Sequence, residues 1–168
     1  MLKNEAVLVL DFGGQYCQLI ARRVRECNVY CEIKSYKTPV SELAEKGYKG
    51  IILTGGPNSV YDPASPHCDV SLFELGVPVL GICYGAQLMA YLLGGKVSAS
   101  QVREYGKTPV TVEKSDSLLF QDVQEESICW MSHTDYISAP PEGFCVTAAS
   151  KNCPAAALEC AQRKLYAV

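Results

Sequence analysis

An α/β fold, with a mostly parallel central sheet and helices on both faces, follows from three features of the sequence. Residues 6–10, 50–54 and 77–80 are near-continuous apolar runs, the pattern of strands buried on both faces. Segments of helical character separate them, and such βα repeats imply a parallel sheet covered on each side. After Gly94-Gly95 the texture changes to short β-rich segments, so a β-rich second half follows the α/β first half.

The elements follow in order. After the first strand, Gly13-Gly14 punctuates the chain and a helix is predicted over 15–27, with Tyr16, Leu19, Ile20, Val24 and Cys27 at helical spacing on one side. Residues 29–33 read as the second strand. A short helix over 40–46 ends at Gly47. The strand over 50–54 opens into Gly55-Gly56-Pro57-Asn58-Ser59, and a further helix is predicted within 68–76. Residues 77–80 form the next strand, and 86–93 are good helix formers. Residues 108–112, 128–131, 144–148, 155–158 and 164–168 are the later β segments. Turn signals at Ser115-Asp116, Pro140-Pro141-Glu142-Gly143 and Asn152-Cys153-Pro154 separate them. The sequence carries no internal repeat or linker, and residues 1–168 read as one domain.

Composition excludes several functions. The chain of 168 residues is 48% hydrophobic and 20% charged, with a formal charge of −3. That balance argues against a nucleic-acid surface. Arg22-Arg23-Val24-Arg25, the densest basic spot, reads as a solvated helix face. No apolar run reaches the roughly 18 residues that span a bilayer, and Met1-Leu2-Lys3-Asn4-Glu5 lacks the layout of a signal peptide. Nine cysteines without a Cys-x-x-Cys pair, and only His67 and His133 beside them, argue against zinc. Scattered thiols of this kind suit a reducing, cytoplasmic setting.

The chemistry concentrates in Gly81-Ile82-Cys83-Tyr84-Gly85, between a buried strand and a helix. With Ser at its tip, this arrangement is the nucleophile elbow of hydrolases. Glycines let the backbone turn sharply and leave room around the reacting atom. The helix N-terminus behind Cys83 favours thiolate. The competing reading is a buried structural cysteine. Gly55-Gly56-Pro57 ends another strand on the same side of a parallel sheet, where sites form. Its N–H groups, with that of Tyr84, could face an oxyanion, or it is a plain strand-to-loop turn. Gln87 could reach a substrate or sit on the helix surface. In Met131-Ser132-His133-Thr134-Asp135, His133 is a base, a substrate-facing donor, or a side chain bonded to its own loop. Neither glycine turn matches a phosphate loop or a dinucleotide fingerprint.

Leu10-Asp11-Phe12-Gly13-Gly14-Gln15-Tyr16, Gly55-Gly56-Pro57-Asn58-Ser59-Val60-Tyr61, Gly81-Ile82-Cys83-Tyr84-Gly85-Ala86-Gln87, Arg103-Glu104-Tyr105-Gly106 and Trp130-Met131-Ser132-His133-Thr134-Asp135 occur in that order. Together they resemble the class I (triad) glutamine amidotransferase domain of the GMP synthetase branch, over essentially the whole chain. The resemblance implies a flavodoxin-like sheet and a glutaminase. Cys83 would attack the side-chain amide of glutamine, releasing ammonia through a glutamyl thioester. N–H groups of Gly56 and Tyr84 would hold the oxyanion, while Gly55, Gln87, Ser132 and His133 would line the glutamine pocket. The ammonia would pass to an ATP-pyrophosphatase synthetase domain, fused or separate, that aminates xanthosine monophosphate. ATP and magnesium would belong there, so no cofactor is expected in this chain.

The family's remaining triad members, a His and a Glu in a Gln-Phe-His-Pro-Glu element, follow the strand matching 164–168, so the domain is expected to be truncated before them. Weak or absent glutaminase activity follows for this chain alone. Two other functions compete: a non-catalytic amidotransferase-like docking subunit of a synthetase, and a cysteine peptidase or γ-glutamyl hydrolase sharing the elbow.

Overall fold

The structure, a computed structural model, describes residues 5–168, apart from the side chains of residues 101–104. The first four residues of the N-terminal stretch and the side chains of Arg103 and Glu104 in the fourth motif therefore lie outside the described residues.

One nine-stranded sheet carries the molecule. Its first five strands are β1 (Ala6–Asp11), β2 (Tyr30–Ser35), β3 (Gly50–Leu53), β4 (Val79–Gly81) and β5 (Lys96–Val112). The others are β6 (Glu126–Ala139), β7 (Cys145–Ser150), β8 (Ala157–Cys160) and β9 (Leu165–Ala167). The spatial order is β2-β1-β3-β4-β9-β8-β7-β5-β6. The segment β2-β1-β3-β4-β9 is parallel throughout, in the strand order of a flavodoxin-like sheet. From β9 onward all pairings are antiparallel. The β-rich half is therefore a continuation of the same sheet, with β9 belonging to both parts.

Helices α1 (Cys17–Glu26), α2 (Val40–Lys46) and α3 (Tyr84–Leu92) cover the parallel part. Alternation along β1 separates the two faces. Val9 packs with Cys17 and Ala21 of α1 and Cys31 of β2. Leu8 and Leu10 join Leu43 of α2 and Leu88 and Met89 of α3 in the main core. Burying a side chain of this size contributes roughly 1.5–3 kcal/mol.

The sequence places the face of α1 correctly only at Ile20 and Val24, which pack on the core. Tyr16 and Leu19 are 64% and 46% exposed, and Cys27 is exposed as well. The helix starts at Cys17, and positions 17, 20, 21 and 24, at i, i+3, i+4 and i+7, form the packed stripe. The segment 68–76 holds only a 3₁₀ turn, Val70–Glu74, capped by the Asp69 side chain accepting from the Ser71 N–H at 2.9 Å. Helix α2 matches its expected bounds, with Gly47 left-handed at φ 67° as its stop.

The largest departure is the long β5–β6 hairpin. Only residues 108–112 and 128–131 read as strand, because much of the rest is small or polar. The pairing instead runs from Thr111↔Glu126 to Lys96↔Ala139, broken by irregularities between Lys96 and Val97 and between Ala99 and Glu104. Cross-strand hydrogen bonds replace the missing apolar pattern. Strand β6 is an edge, and Ile128 and Trp130 on it are 69% and 76% exposed.

Close backbone approach fixes the βα junctions. A Cβ on Gly81 would lie 2.6 Å from the Gly85 carbonyl oxygen, and one on Gly85 would lie 2.6 Å from the Leu53 carbonyl oxygen. By contrast, a Cβ on Gly55 meets nothing within 4 Å. Gly85→Ala should therefore destabilise the fold by about 1–3 kcal/mol, whereas Gly55→Ala should unfold in urea like the unsubstituted protein. Equal denaturation midpoints for the two variants would contradict this account of the elbow glycines.

Candidate active site

Three loops meet at the carboxyl edge of the parallel strands. Register pairs Leu10 with Leu53 and Leu53 with Gly81, so the turns after β1, β3 and β4 emerge side by side. The first contains Phe12, Gly13 and Gly14. The second contains Thr54, Gly55 and Gly56. The third is the Cys83 elbow.

Cys83 adopts φ 53° and ψ −110°, a conformation that costs a non-glycine residue of order 1–3 kcal/mol. The strain thus belongs to the cysteine. Gly81 and Gly85 serve close packing and have no positive φ of their own. Surrounding hydrogen bonds hold the turn. Ile82 N–H donates to the Leu53 carbonyl (3.0 Å), Cys83 N–H to that of Val168 (2.7 Å), and Gly85 N–H to that of Thr54 (3.1 Å). The Tyr84 N–H lowers the pKa of the Cys83 sulfur.

Cys83 is exposed, unlike the buried Cys17 and Cys31. Its ionisation nevertheless departs from expectation. Protein crowding around the thiol pushes its pKa up, and the Tyr84 N–H offsets this only in part. Desolvation outweighs this one N–H. Burial pushes Cys17 further, to about 11, and Cys68 to about 12, so neither competes as a nucleophile at neutral pH.

Gly56 lies against the ring of Tyr84, where a Cβ would come within 2.7 Å of ring carbons. That ring is buried, and its hydroxyl donates to the Pro66 carbonyl at 2.7 Å. Phe12 packs beside it, with centroids 5.9 Å apart, and stacks on Tyr36 at 5.7 Å. Contacts of this kind contribute roughly 0.5–1.5 kcal/mol each. They join the oxyanion-loop candidates Gly55 and Gly56 to the elbow.

Gln87 is buried, one turn into α3, and its amide donates to the Asp135 carbonyl at 2.9 Å. It does not sit on the helix surface. The His133 Nδ1 lies 3.0 Å from the same carbonyl, which makes Nδ1 the protonated nitrogen. Gln87 and His133 therefore converge on one acceptor. Ser132 is exposed and alternates to the other face of β6, so its side chain is not gathered with His133. Sequence reasoning missed Thr54, which is fully buried: its hydroxyl accepts from the Phe12 N–H at 3.0 Å. A threonine ending an apolar strand was its only signal.

Among the described residues no group of three or more His, Cys, Asp and Glu is placed to hold a metal ion. A shallow groove of about 730 Å³ lies elsewhere, on β5 and the β7–β8 turn, lined by Tyr105, Lys107, Glu113 and Lys151 among others. No helix among the described residues is long and apolar enough to cross a membrane.

This fold and elbow define an α/β protein of the flavodoxin-like class with an exposed cysteine at a strained strand-to-helix turn. Residues 8–168 match the family described as glutamine amidotransferase class-I. The chain belongs to that family. It is 60% identical, over 99% of its length, to proteins named GMP synthase [glutamine-hydrolyzing] from Clostridium botulinum (strain Alaska E43 / Type E3) and Lachnospira eligens. It spans about a third (32%) of the length of those relatives. Among solved structures it is similar to a "putative gmp synthase subunit a protein" from Thermoplasma acidophilum. The TM-score is 0.83 and the identity 29%, covering 97% of this chain and 81% of that one. A glutamine amidotransferase from Thermotoga maritima shares the fold, with TM-score 0.76 at 19% identity over 98% of this chain and 74% of that one.

Because the Cys83 pKa is raised, its alkylation by iodoacetamide should keep accelerating with pH through the mildly alkaline range. A plateau below the ordinary cysteine value of about 8.5 would show that the helix N-terminus wins after all. Mass spectrometry of the modified peptide reads the rate at this one thiol.

Proposed function

We propose that this chain is the glutaminase portion of a GMP synthase. The observation that carries the reading is Cys83, an exposed residue on a strained elbow whose pKa the Tyr84 N–H helps to lower. The sulfur attacks the side-chain carbonyl carbon of glutamine, and a C–S bond forms. Negative charge on the carbonyl oxygen is met by the N–H groups of Tyr84 and Gly56, the Tyr84 donor shifting from sulfur to oxygen. The C–N bond then breaks, the nitrogen leaves as ammonia carrying the proton the thiol gave up, and water hydrolyses the thioester to glutamate, returning a proton to the sulfur. Gly55, Gln87 and His133 line the glutamine site. Ser132 contributes through its main chain, since its side chain lies on the opposite face of β6.

Ammonia serves a synthetase portion, fused or separate, that uses ATP and magnesium to convert xanthosine monophosphate to GMP. The relatives' names and their threefold greater length support this reading. Nine free thiols, including the nucleophile, suit the reducing cytoplasm.

Residues 1–168 hold two histidines. Each has a ring nitrogen on a main-chain carbonyl, His67 at 3.0 Å from that of Val60 and His133 as above. The Gln-Phe-His-Pro-Glu element of the family is not among these residues. Loss of acid–base assistance costs about a hundred- to ten-thousand-fold in rate, so residues 1–168 alone should release ammonia slowly.

Treatment with a chloroketone analogue of glutamine should modify Cys83, and excess glutamine should block the reaction. Cys83→Ser should abolish the labelling. Modification that glutamine fails to protect would instead favour a docking subunit without a glutamine site. Gln87→Leu should leave the fold intact and weaken that protection several-fold, because its amide no longer ties α3 to the Asp135 carbonyl.

A further inference from the structure

The Gly55–Gly56 peptide presents a conformational problem that the glutaminase reading leaves open. In a trans peptide unit the carbonyl and the following N–H point in opposite directions. The orientation of the Gly55 carbonyl therefore decides where the Gly56 N–H points. Two consecutive glycines offer little steric resistance to rotation of that unit, and the space beside Gly55 is open.

Thr54 supplies the missing constraint. Its hydroxyl lies 3.1 Å from the Gly55 carbonyl oxygen and 3.0 Å from the Phe12 nitrogen. The Phe12 N–H can only donate. The single hydroxyl proton of Thr54 is therefore committed to the Gly55 carbonyl. Main-chain bonds fix Thr54 itself: its N–H donates to the Leu10 carbonyl at 3.2 Å, and its carbonyl accepts from the Gly85 N–H at 3.1 Å. Gly14 closes the far side, where a Cβ would come within 2.4 Å of the Gly55 oxygen. One fully buried residue thus references the β1 loop, the glycine loop and the first turn of α3 to one another.

We propose that Thr54 is a positioning residue whose hydroxyl holds the Gly55 carbonyl and so aims the Gly56 N–H at the oxyanion. The proposal rests on the glutaminase reading of Cys83. It concerns only transition states that carry an oxyanion. Alkylation of the sulfur by displacement at a saturated carbon develops no such charge and should be indifferent to the hydroxyl.

The test compares two reactions of the same thiol. Acylation is followed as the burst of p-nitrophenolate from the γ-p-nitrophenyl ester of L-glutamate, a leaving group that needs no general acid. Alkylation is followed with iodoacetamide. Thr54→Val should slow acylation about ten- to a hundredfold, below the full loss of an oxyanion donor, with alkylation nearly unchanged. Thr54→Ser, which keeps the hydroxyl, should restore acylation to within about threefold of the original rate. Thr54→Ala carries the same expectation as Thr54→Val should the latter fail to fold. Equal acylation by the original protein and the hydroxyl-free variants would overturn the role of Thr54 alone. A parallel fall in acylation and alkylation would overturn it too, as the mark of general disorder at the elbow. If the original protein shows no Cys83-dependent burst, the glutaminase reading falls and the proposal falls with it.

Discussion

The seating of the Cys83 elbow against the end of β3 is the constraint on which the rest of this structure depends. Gly85 packs so closely on the Leu53 carbonyl that no side chain fits between them. The amides of Ile82 and Gly85 are consumed by the carbonyls of Leu53 and Thr54. With these donors taken, the turn cannot relax without losing several hydrogen bonds at once. An unfavourable φ/ψ pair at Cys83 therefore persists, because its surroundings over-determine it. The same seating brings the Tyr84 N–H to the sulfur and lays the Tyr84 ring beneath Gly56.

The strained turn sits between two very different supports. On one side are parallel strands whose faces are covered by α1 and by α2 with α3. On the other, β9 passes alongside β4, and its neighbour Val168 takes the Cys83 N–H. Beyond β9 the antiparallel strands need their own anchor, and Glu159 of β8 provides it. This carboxylate is buried and satisfied by the Lys114 ammonium and by the Ser117 hydroxyl at 2.6 Å, an arrangement that offsets the cost of burying its charge. The β5–β6 hairpin reaches back over α3, where Asp135 accepts from Gln87. The hairpin is thereby coupled to α3 one turn beyond Cys83.

The ionisation of Cys83 shows two local effects in competition. The Tyr84 N–H lowers the thiol pKa and desolvation raises it by more, so the net shift is upward. In the proposed reaction such a nucleophile relies on a base to take its proton. That fits a family whose chemistry needs an imidazole beside the cysteine better than one that relies on a standing thiolate.

What the sequence by itself determined was local. The apolar runs of β1, β3 and β4, the stop at Gly47 and the Gly-x-Cys-x-Gly turn each follow from neighbours a few residues apart, because burial pattern and glycine requirements act over that range. Tertiary structure decided everything that joins distant residues. The Phe12 amide meets the Thr54 hydroxyl across 42 positions and Gln87 meets Asp135 across 48. On α1, Ile20 and Val24 of the expected face are packed, but Cys17 and Ala21 complete the stripe in place of the larger Tyr16 and Leu19. Most of the β5–β6 hairpin was invisible because cross-strand hydrogen bonds hold it, and backbone pairing leaves little imprint on side-chain hydropathy.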